Sequence, residues 1–305
     1  MMLSSRVFRT GYLFSERSQN MEKNRYSLAR TIAECAVMVA LAVILSILKL
    51  ADLPYGGSIT MASKLPLIII GYRHGIKWGF VSSFVYGAME LVLGLNTLSY
   101  VTGVASVIAV ILLDYIVAFG VIGLSALVRN AKTEKEAFVF GSLIACFARY
   151  ICHVISGATV WAGLSIPTAA ALSYSLIYNA TYMVPETLIL AVAAYFVGSS
   201  IDFGSDRPKP VIRKEINHGM LVNVMKYVTL TFASAALVID IVCIFSKLQN
   251  AETGEFDITG IADANIPLIV IATSVALAVV IAYCIIYFVS KKKNSQPETT
   301  KEENA

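Results

Sequence analysis

The sequence predicts an all-α polytopic membrane protein, and three features carry that reading. Of its 305 residues, 57% are hydrophobic and only 14% charged, a balance far from that of soluble domains. The apolar residues gather in eight stretches, most of them near the ~20 residues that take a helix across a bilayer. Short basic clusters separate these stretches, so the net charge of +4 bears on orientation in a lipid bilayer and gives no sign of a nucleic-acid partner. The five cysteines, Cys35, Cys146, Cys152, Cys243 and Cys284, lack CxxC spacing and fall in apolar segments, which indicates neither a disulfide framework nor a zinc site.

Residues 1–27 carry Arg6, Arg9, Arg17, Lys23 and Arg25 without a long apolar core, and are expected to be a disordered cytoplasmic leader, not a cleaved signal. The first span is expected over Thr31 to Leu50, where Ala33, Ala36, Ala40 and Ala42 offer small residues at spacings that let another helix approach closely. Pro54, Gly56 and Gly57 then break the helix in a loop able to serve as a lid. A short second span, Ile59 to Tyr72, ends at Arg73 and His74. The third, Trp78 to Leu95, carries Tyr86 and Glu90, and the fourth, Ser99 to Val128, carries Asp114 and Tyr115. The fifth, Ala137 to Ala162, contains Arg149, His153 and Trp161. After a turn at Ile166 and Pro167, the sixth runs from Ala169 to Gly198 with Tyr174, Tyr178, Asn179, Tyr182 and Glu186, and Pro185 able to kink it.

A six-helix domain is therefore expected over 28–200 and a polar cytoplasmic linker over 201–220. An additional helix pair is expected over 221–290, from spans Val222 to Phe245 and Ile266 to Val289, and a cytoplasmic tail over 291–305. With the amino terminus inside, every basic cluster falls on the cytoplasmic face: the leader, Arg73 with Lys77, Arg129 with Lys132 and Lys135, Arg207 to Lys214, and Lys291 to Lys293. Both termini are then cytoplasmic.

The fifth span holds the most informative pattern. Arg149, His153, Gly157 and Trp161 recur at i+4 steps, which places them along one stripe of a helix. An ionisable group at that depth costs several kcal/mol unless it faces a bundle interior or a wet cavity, so the stripe marks a binding or transport site. The plainer alternative is a packed histidine beside an arginine neutralised by a structural carboxylate. Counting along the helices puts Trp161 and Tyr174 shallow, His153, Glu90 and Asn179 about 10 to 15 Å down, and Arg149 and Asp114 near the midplane. Acid, imidazole, amide, phenols and indole in one outward-opening column suit a small, flat, nitrogen-rich and cationic solute. Whether Arg149 neutralises Asp114 in that column depends on packing.

Several strings resemble one known family: Ala36 to Ala42, Leu53 to Thr60, Tyr72-Arg73-His74-Gly75, Leu113 to Phe119, Arg149-Tyr150-Ile151-Cys152-His153, Trp161, and Tyr174 to Asn179. In order and spacing they are similar to the thiamine-specific S-components of energy-coupling factor (ECF) transporters, over about residues 28–200. That resemblance implies a six-helix vitamin-binding subunit that takes thiamine from outside and associates with a transmembrane coupling subunit and two ATPase subunits. It implies a ligand-binding carboxylate at Asp114 beside Tyr115, with His153, a stacking Trp161, and Tyr174 and Asn179 on the sixth helix. Ala36 and Ala40 fall on the small-residue motif that meets the coupling subunit. The chain departs from the family pattern with Asp114 in place of glutamate and with Gly57 and Tyr86 in place of tryptophans. The shorter acid draws its oxygens back by one methylene, and Tyr55 is the candidate replacement for the missing aromatic lid. Glu90 joins the candidate ligand residues by depth.

The expected function is that of the substrate-binding subunit of such an importer, at the cell membrane and without catalysis or cofactor. The sequence contains no Gly-x-x-x-x-Gly-Lys-[Ser/Thr] loop, so energy from ATP would come from partners. Two alternatives remain: an S-component for another small aromatic vitamin or precursor, and a proton-coupled secondary transporter using Asp114, Arg149 and His153 as a relay.

Overall fold

A backbone that finds no water in a bilayer must bond to itself, and each long apolar stretch of the chain accordingly winds as a helix. The computed structural model describes residues 28–161, 168–211, 220–250 and 255–294. The expected leader, the turn at Ile166 and Pro167, much of the expected linker and the end of the tail lie outside the described residues. Among them, helices α1 (Leu28–Ile47), α2 (Leu65–His74), α3 (Ile76–Leu93), α4 (Val104–Val128), α5 (Glu134–Thr159) and α6 (Ala169–Ser200) belong to one compact unit. Helices α7 (Met220–Phe245) and α8 (Ile266–Asn294) belong to a second, together with the loop Leu50–Ser58. Seven of the eight are long and apolar enough to cross a membrane, which makes this an all-α multi-pass membrane protein.

The exception is α2. The sequence expects a span from Ile59, but Ser58–Thr60 is extended and Ala62 has a positive φ of 55°, so the helix begins only at Leu65, with Pro66 in its first turn. Ten residues rise about 15 Å, half a bilayer. Every residue from Leu65 to Tyr72 is buried, and α2 forms the centre of the first unit. Around it pack Cys35, Val39 and Ala42 of α1, Tyr86 of α3, Phe119 and Ile122 of α4, Phe138 and Ala145 of α5, and Leu190 and Ala194 of α6.

Two helix starts have a local cause. Thr133 caps α5, its hydroxyl accepting the Glu136 N–H at 3.3 Å, and Thr168 caps α6 by accepting the Ala171 N–H at 3.1 Å. Helix α4 is irregular: residues Ile111–Val117 wind as a π-helix and Val121–Val128 as a 3₁₀-helix. The wide π turn holds Asp114 and Tyr115, and such turns recur where a helix is shaped for function.

Beyond α6 the polar segment starts as a tight hairpin, with β3 (Ile201–Asp202) antiparallel to β4 (Lys209–Pro210); the short strands Lys49–Asp52 (β1) and Ser58–Thr60 (β2) come earlier in the chain. Arg73 donates to the carbonyls of Phe203, Ser205 and Asp206, and Glu134 accepts the N–H groups of Phe203 and Gly204 at 2.9 and 2.8 Å. In the second unit α7 packs on α8, and the Thr273 hydroxyl donates to Asp240 Oδ2 at 2.9 Å. In the loop between them Asp257 accepts both the hydroxyl and the N–H of Thr259, which holds its carboxyl below the usual range.

Deep in the first unit lies a charge cluster. Glu186 on α6, 1% exposed, pairs with Lys64 just before α2 and with Arg149 on α5 at 3.3 Å, and also accepts the Thr60 hydroxyl at 2.6 Å. Buried ions hold only while they satisfy one another, and removing one partner costs about 3–5 kcal/mol. Glu186→Gln is therefore expected to lower stability by that order, since it strands two buried cations. Thermal unfolding of detergent-solubilised protein reads the loss, and adding Lys64→Met should recover part of it.

Candidate ligand site on helices four, five and six

The candidate residues divide sharply in how they are placed. Asp114, presented by the π turn of α4, accepts three hydrogen bonds from α5 and the turn that follows it. His153 Nδ1 lies 2.8 Å from Oδ1, while the Ser156 hydroxyl and the Trp161 indole N–H donate to Oδ2 at 2.7 and 3.0 Å. His153 and Ser156 are three residues apart on α5 and so share a face. Trp161 lies just past the end of the helix, where its backbone N–H still bonds Ser156 O at 3.2 Å. Of the i+4 stripe, His153 and Trp161 thus meet Asp114, and the side chains of Asp114 and His153 are about one-eighth exposed.

Arg149, one turn deeper, does not neutralise Asp114. Its guanidinium bonds Glu186, places NH2 3.3 Å from His153 Nε2, and lies 4.7 Å from the centre of the Phe119 ring. Sequence reasoning left this pairing open because the choice between Asp114 and Glu186 depends on how α5 is turned between α4 and α6.

Close approach of α5 and α6 depends on Gly157. A Cβ there would fall 2.3 Å from Ser175 Oγ and 3.2 Å from its Cβ, and Ser175 uses that hydroxyl to reach Val154 O at 2.9 Å. Asn179 sits buried beside this contact. Its amide N–H groups go to Ser175 and its carbonyl accepts the Tyr182 hydroxyl at 2.8 Å. Tyr174 and Tyr178, four residues apart on α6, stack at 6.2 Å with planes 4° apart, and Tyr178 meets Tyr182 edge-on at 5.7 Å. Tyr174 is 48% exposed.

Four candidates are engaged elsewhere. Tyr86 is fully buried, donating to Ser63 at 3.3 Å with its ring edge-on to Phe119. Glu90 accepts from Ser46 of α1 at 2.6 Å. Tyr115, next to Asp114 on the π turn but turned away from it, donates to Gly94 O at 3.3 Å. Tyr55 occupies the Pro54–Gly56 turn with a positive φ of 66°, within the second unit. Ala36 and Ala40 are exposed on α1, as is Ala33, whereas Ala42 is buried.

Two residues escaped the sequence reading. Lys64 is a lone cation among apolar residues, a signal as strong as that of Arg149, and Ser156 follows His153 by three positions. No group of three or more His, Cys, Asp or Glu side chains suited to a metal exists among the described residues. What the arrangement offers is recognition: a carboxylate met by an imidazole, a hydroxyl and an indole, beside a phenol ladder.

Residues 32–202 match the model of the family described as "Thiamine transporter protein", more than half of the chain. The chain belongs to this family. It is 35% identical over 173 residues to the thiamine transporter ThiT of Bacillus subtilis, a stretch that covers 53% of this chain and 86% of that relative. It is 26% identical over 181 residues to ThiT of Lacticaseibacillus paracasei, covering 53% and 83%. No solved structure matches. The family match spans α1 to α6 and stops before α7, so the helix pair of the second unit lies outside it.

Gly157→Ala is expected to cost about 1–3 kcal/mol by overpacking the α5–α6 contact. Combining it with Ser175→Ala, which removes the clashing oxygen, should restore part of the loss in the same thermal measurement.

Proposed function

We propose that this chain is the substrate-binding membrane subunit of an energy-coupling factor importer, and that it captures thiamine from the outer face. Membership in the thiamine transporter family supports the solute, and one observation carries the site: Asp114 held by His153, Ser156 and Trp161. Thiamine is a cation with two flat rings. A carboxylate attracts its charge, and Trp161 and the Tyr174–Tyr178 pair provide aromatic faces that bind rings and stabilise positive charge by ~0.5–2 kcal/mol. Asn179, now bonded within α6 and to Tyr182, supplies an amide that can exchange those bonds for a ligand's. Tyr86, Tyr115 and Glu90 shape the site at one remove.

The reading places the protein in the cell membrane with both termini cytoplasmic, following the distribution of Lys and Arg. It assigns energy to a transmembrane coupling subunit and two ATPase subunits, with the exposed Ala33, Ala36 and Ala40 of α1 as the docking face, where small side chains admit a partner helix. The protein itself performs no catalysis and needs no cofactor. A second reading, a proton-coupled secondary transporter, draws on the unbroken run of ionisable groups from Lys64 through Glu186, Arg149 and His153 to Asp114. Thiamine uptake into vesicles with a proton gradient and no ATPase subunits would select it.

The test of the site uses the two tryptophans, Trp78 and Trp161. Thiamine added to the purified Trp78→Phe protein should quench its remaining fluorescence saturably, and Asp114→Asn should weaken binding about 10- to 100-fold, the range of a charge-assisted hydrogen bond. An unquenched titration together with no binding by calorimetry would refute the assignment. At the docking face, Ala36→Trp should abolish uptake in cells while leaving the titration intact; uptake that persists removes α1 as the coupling surface.

A further inference from the structure

The bond between Arg149 and His153 has a consequence for charge at the ligand site. A guanidinium has five donor positions, no acceptor, and keeps its proton at any pH a protein survives. Its NH2 group lies 3.3 Å from His153 Nε2, so that ring nitrogen must present a lone pair. The ring proton then sits on Nδ1, which faces Asp114 Oδ1 at 2.8 Å and donates to it. A second proton on Nε2 would set an N–H against the N–H of a cation, in a place where the Arg149 side chain is only 5% exposed.

We propose that Arg149 is a positioning residue that locks His153 as the neutral Nδ1–H tautomer, so that Asp114 keeps an uncompensated negative charge for a cationic ring. The donors to Asp114 are then an imidazole N–H, a hydroxyl and an indole N–H, all neutral. They orient the carboxylate without cancelling its charge, which an imidazolium in the same position would do. Arg149 cannot cancel it either, because its own charge is directed to Glu186, which Lys64 shares. The guanidinium is fixed from a third side by the face of Phe119. Discrimination between a charged and an uncharged ring system is therefore set one layer behind the ligand, by the packing of α2, α5 and α6.

This inference rests on the proposed binding of thiamine and makes a separate prediction. The ring itself faces Asp114 on α4 and Arg149 on α5, and the ionisable groups that interact with those two are Cys146 and Cys152 on α5, Tyr182 and Glu186 on α6, Lys64 before α2, and Tyr86 on α3, with Tyr178 and Glu90 beyond them. Of these, Arg149 is the one that faces Nε2, and its loss leaves that nitrogen open to a second proton. Thiamine affinity of the unaltered chain should change less than about twofold between pH 8 and pH 6, since Nε2 already faces the Arg149 guanidinium. In Arg149→Met it should fall about fivefold or more over that interval, as an imidazolium neutralises Asp114. Binding of the neutral hydroxymethyl-pyrimidine half of thiamine should not fall with it. Arg149→Lys keeps the cation and should restore the flat profile, which a purely structural role for Arg149 would not explain.

The tautomer can also be read directly in the unaltered full chain. It has three histidines, His74, His153 and His218, so ¹⁵N-histidine labelling with His153→Gln for assignment isolates the signal. A pyridine-type shift at Nε2 with a pyrrole-type shift at Nδ1 is expected at pH 7. An Nε2–H tautomer or an imidazolium there overturns the proposal, as does an Arg149→Met profile as flat as the parent's. Absence of thiamine binding by the unaltered chain would instead strike the proposed function, and the ¹⁵N spectrum would still decide the tautomer.

Discussion

Glu186 is the group on which the first unit turns. A carboxylate taken fully out of water must be met by charge and by hydrogen bonds, and here Lys64, Arg149 and Thr60 meet it from two other segments of the chain. Each of the three thereby gains a defined place. Lys64 and Thr60 lie immediately ahead of α2, the short helix at the centre of the core, while Arg149 lies on the helix that carries His153. The ion cluster therefore ties the position of the central helix to the orientation of the face that meets Asp114. An apolar core of the same volume would pack as well, but it would not dictate how α5 is rotated.

The candidate ligand site is built outward from that rotation. Once Arg149 is directed to Glu186, helical spacing carries His153 and Ser156 round to α4, and the turn after α5 brings Trp161 to the same carboxylate. The π turn of α4 supplies the matching half, since widening the helix at Ile111–Val117 sends Asp114 to α5 and Tyr115 towards Gly94. Gly157 sets the distance to α6, where Asn179 and the tyrosine ladder begin. The candidate site thus rests on three helices, with the ion cluster of Glu186, Arg149 and Lys64 beneath it.

Much of the candidate site was legible because a helix repeats locally. Arg149, His153, Gly157 and Trp161 stand out by spacing, and Asp114 and Glu186 stand out as carboxylates in apolar surroundings. The family strings place Asp114, His153, Trp161 and Asn179 in order. Less legible was the destination of each polar group. Glu90 shares an expected depth with the site and Tyr86 lies on the same span, yet Glu90 reaches Ser46 on α1 and Tyr86 is sealed against Phe119. Depth follows from counting along one helix, whereas direction around its axis follows from neighbours that no count supplies. Span two shows the same limit, because apolar residues from Ile59 to Tyr72 have the composition of a membrane helix but a proline and an extended entry shorten it to ten residues.

By itself the sequence determined that this is a multi-pass helical membrane protein, which residues lie on common faces, and which family the first two hundred residues resemble. The first two are properties of composition and of 3.6-residue periodicity and the third of particular strings, all written along the chain. Tertiary structure alone decided that Arg149 answers Glu186 and leaves Asp114 to His153, Ser156 and Trp161, that Lys64 completes the buried cluster, and that α2 is core. Those outcomes depend on the relative rotation and approach of helices distant in sequence, which side-chain packing settles for all of them together.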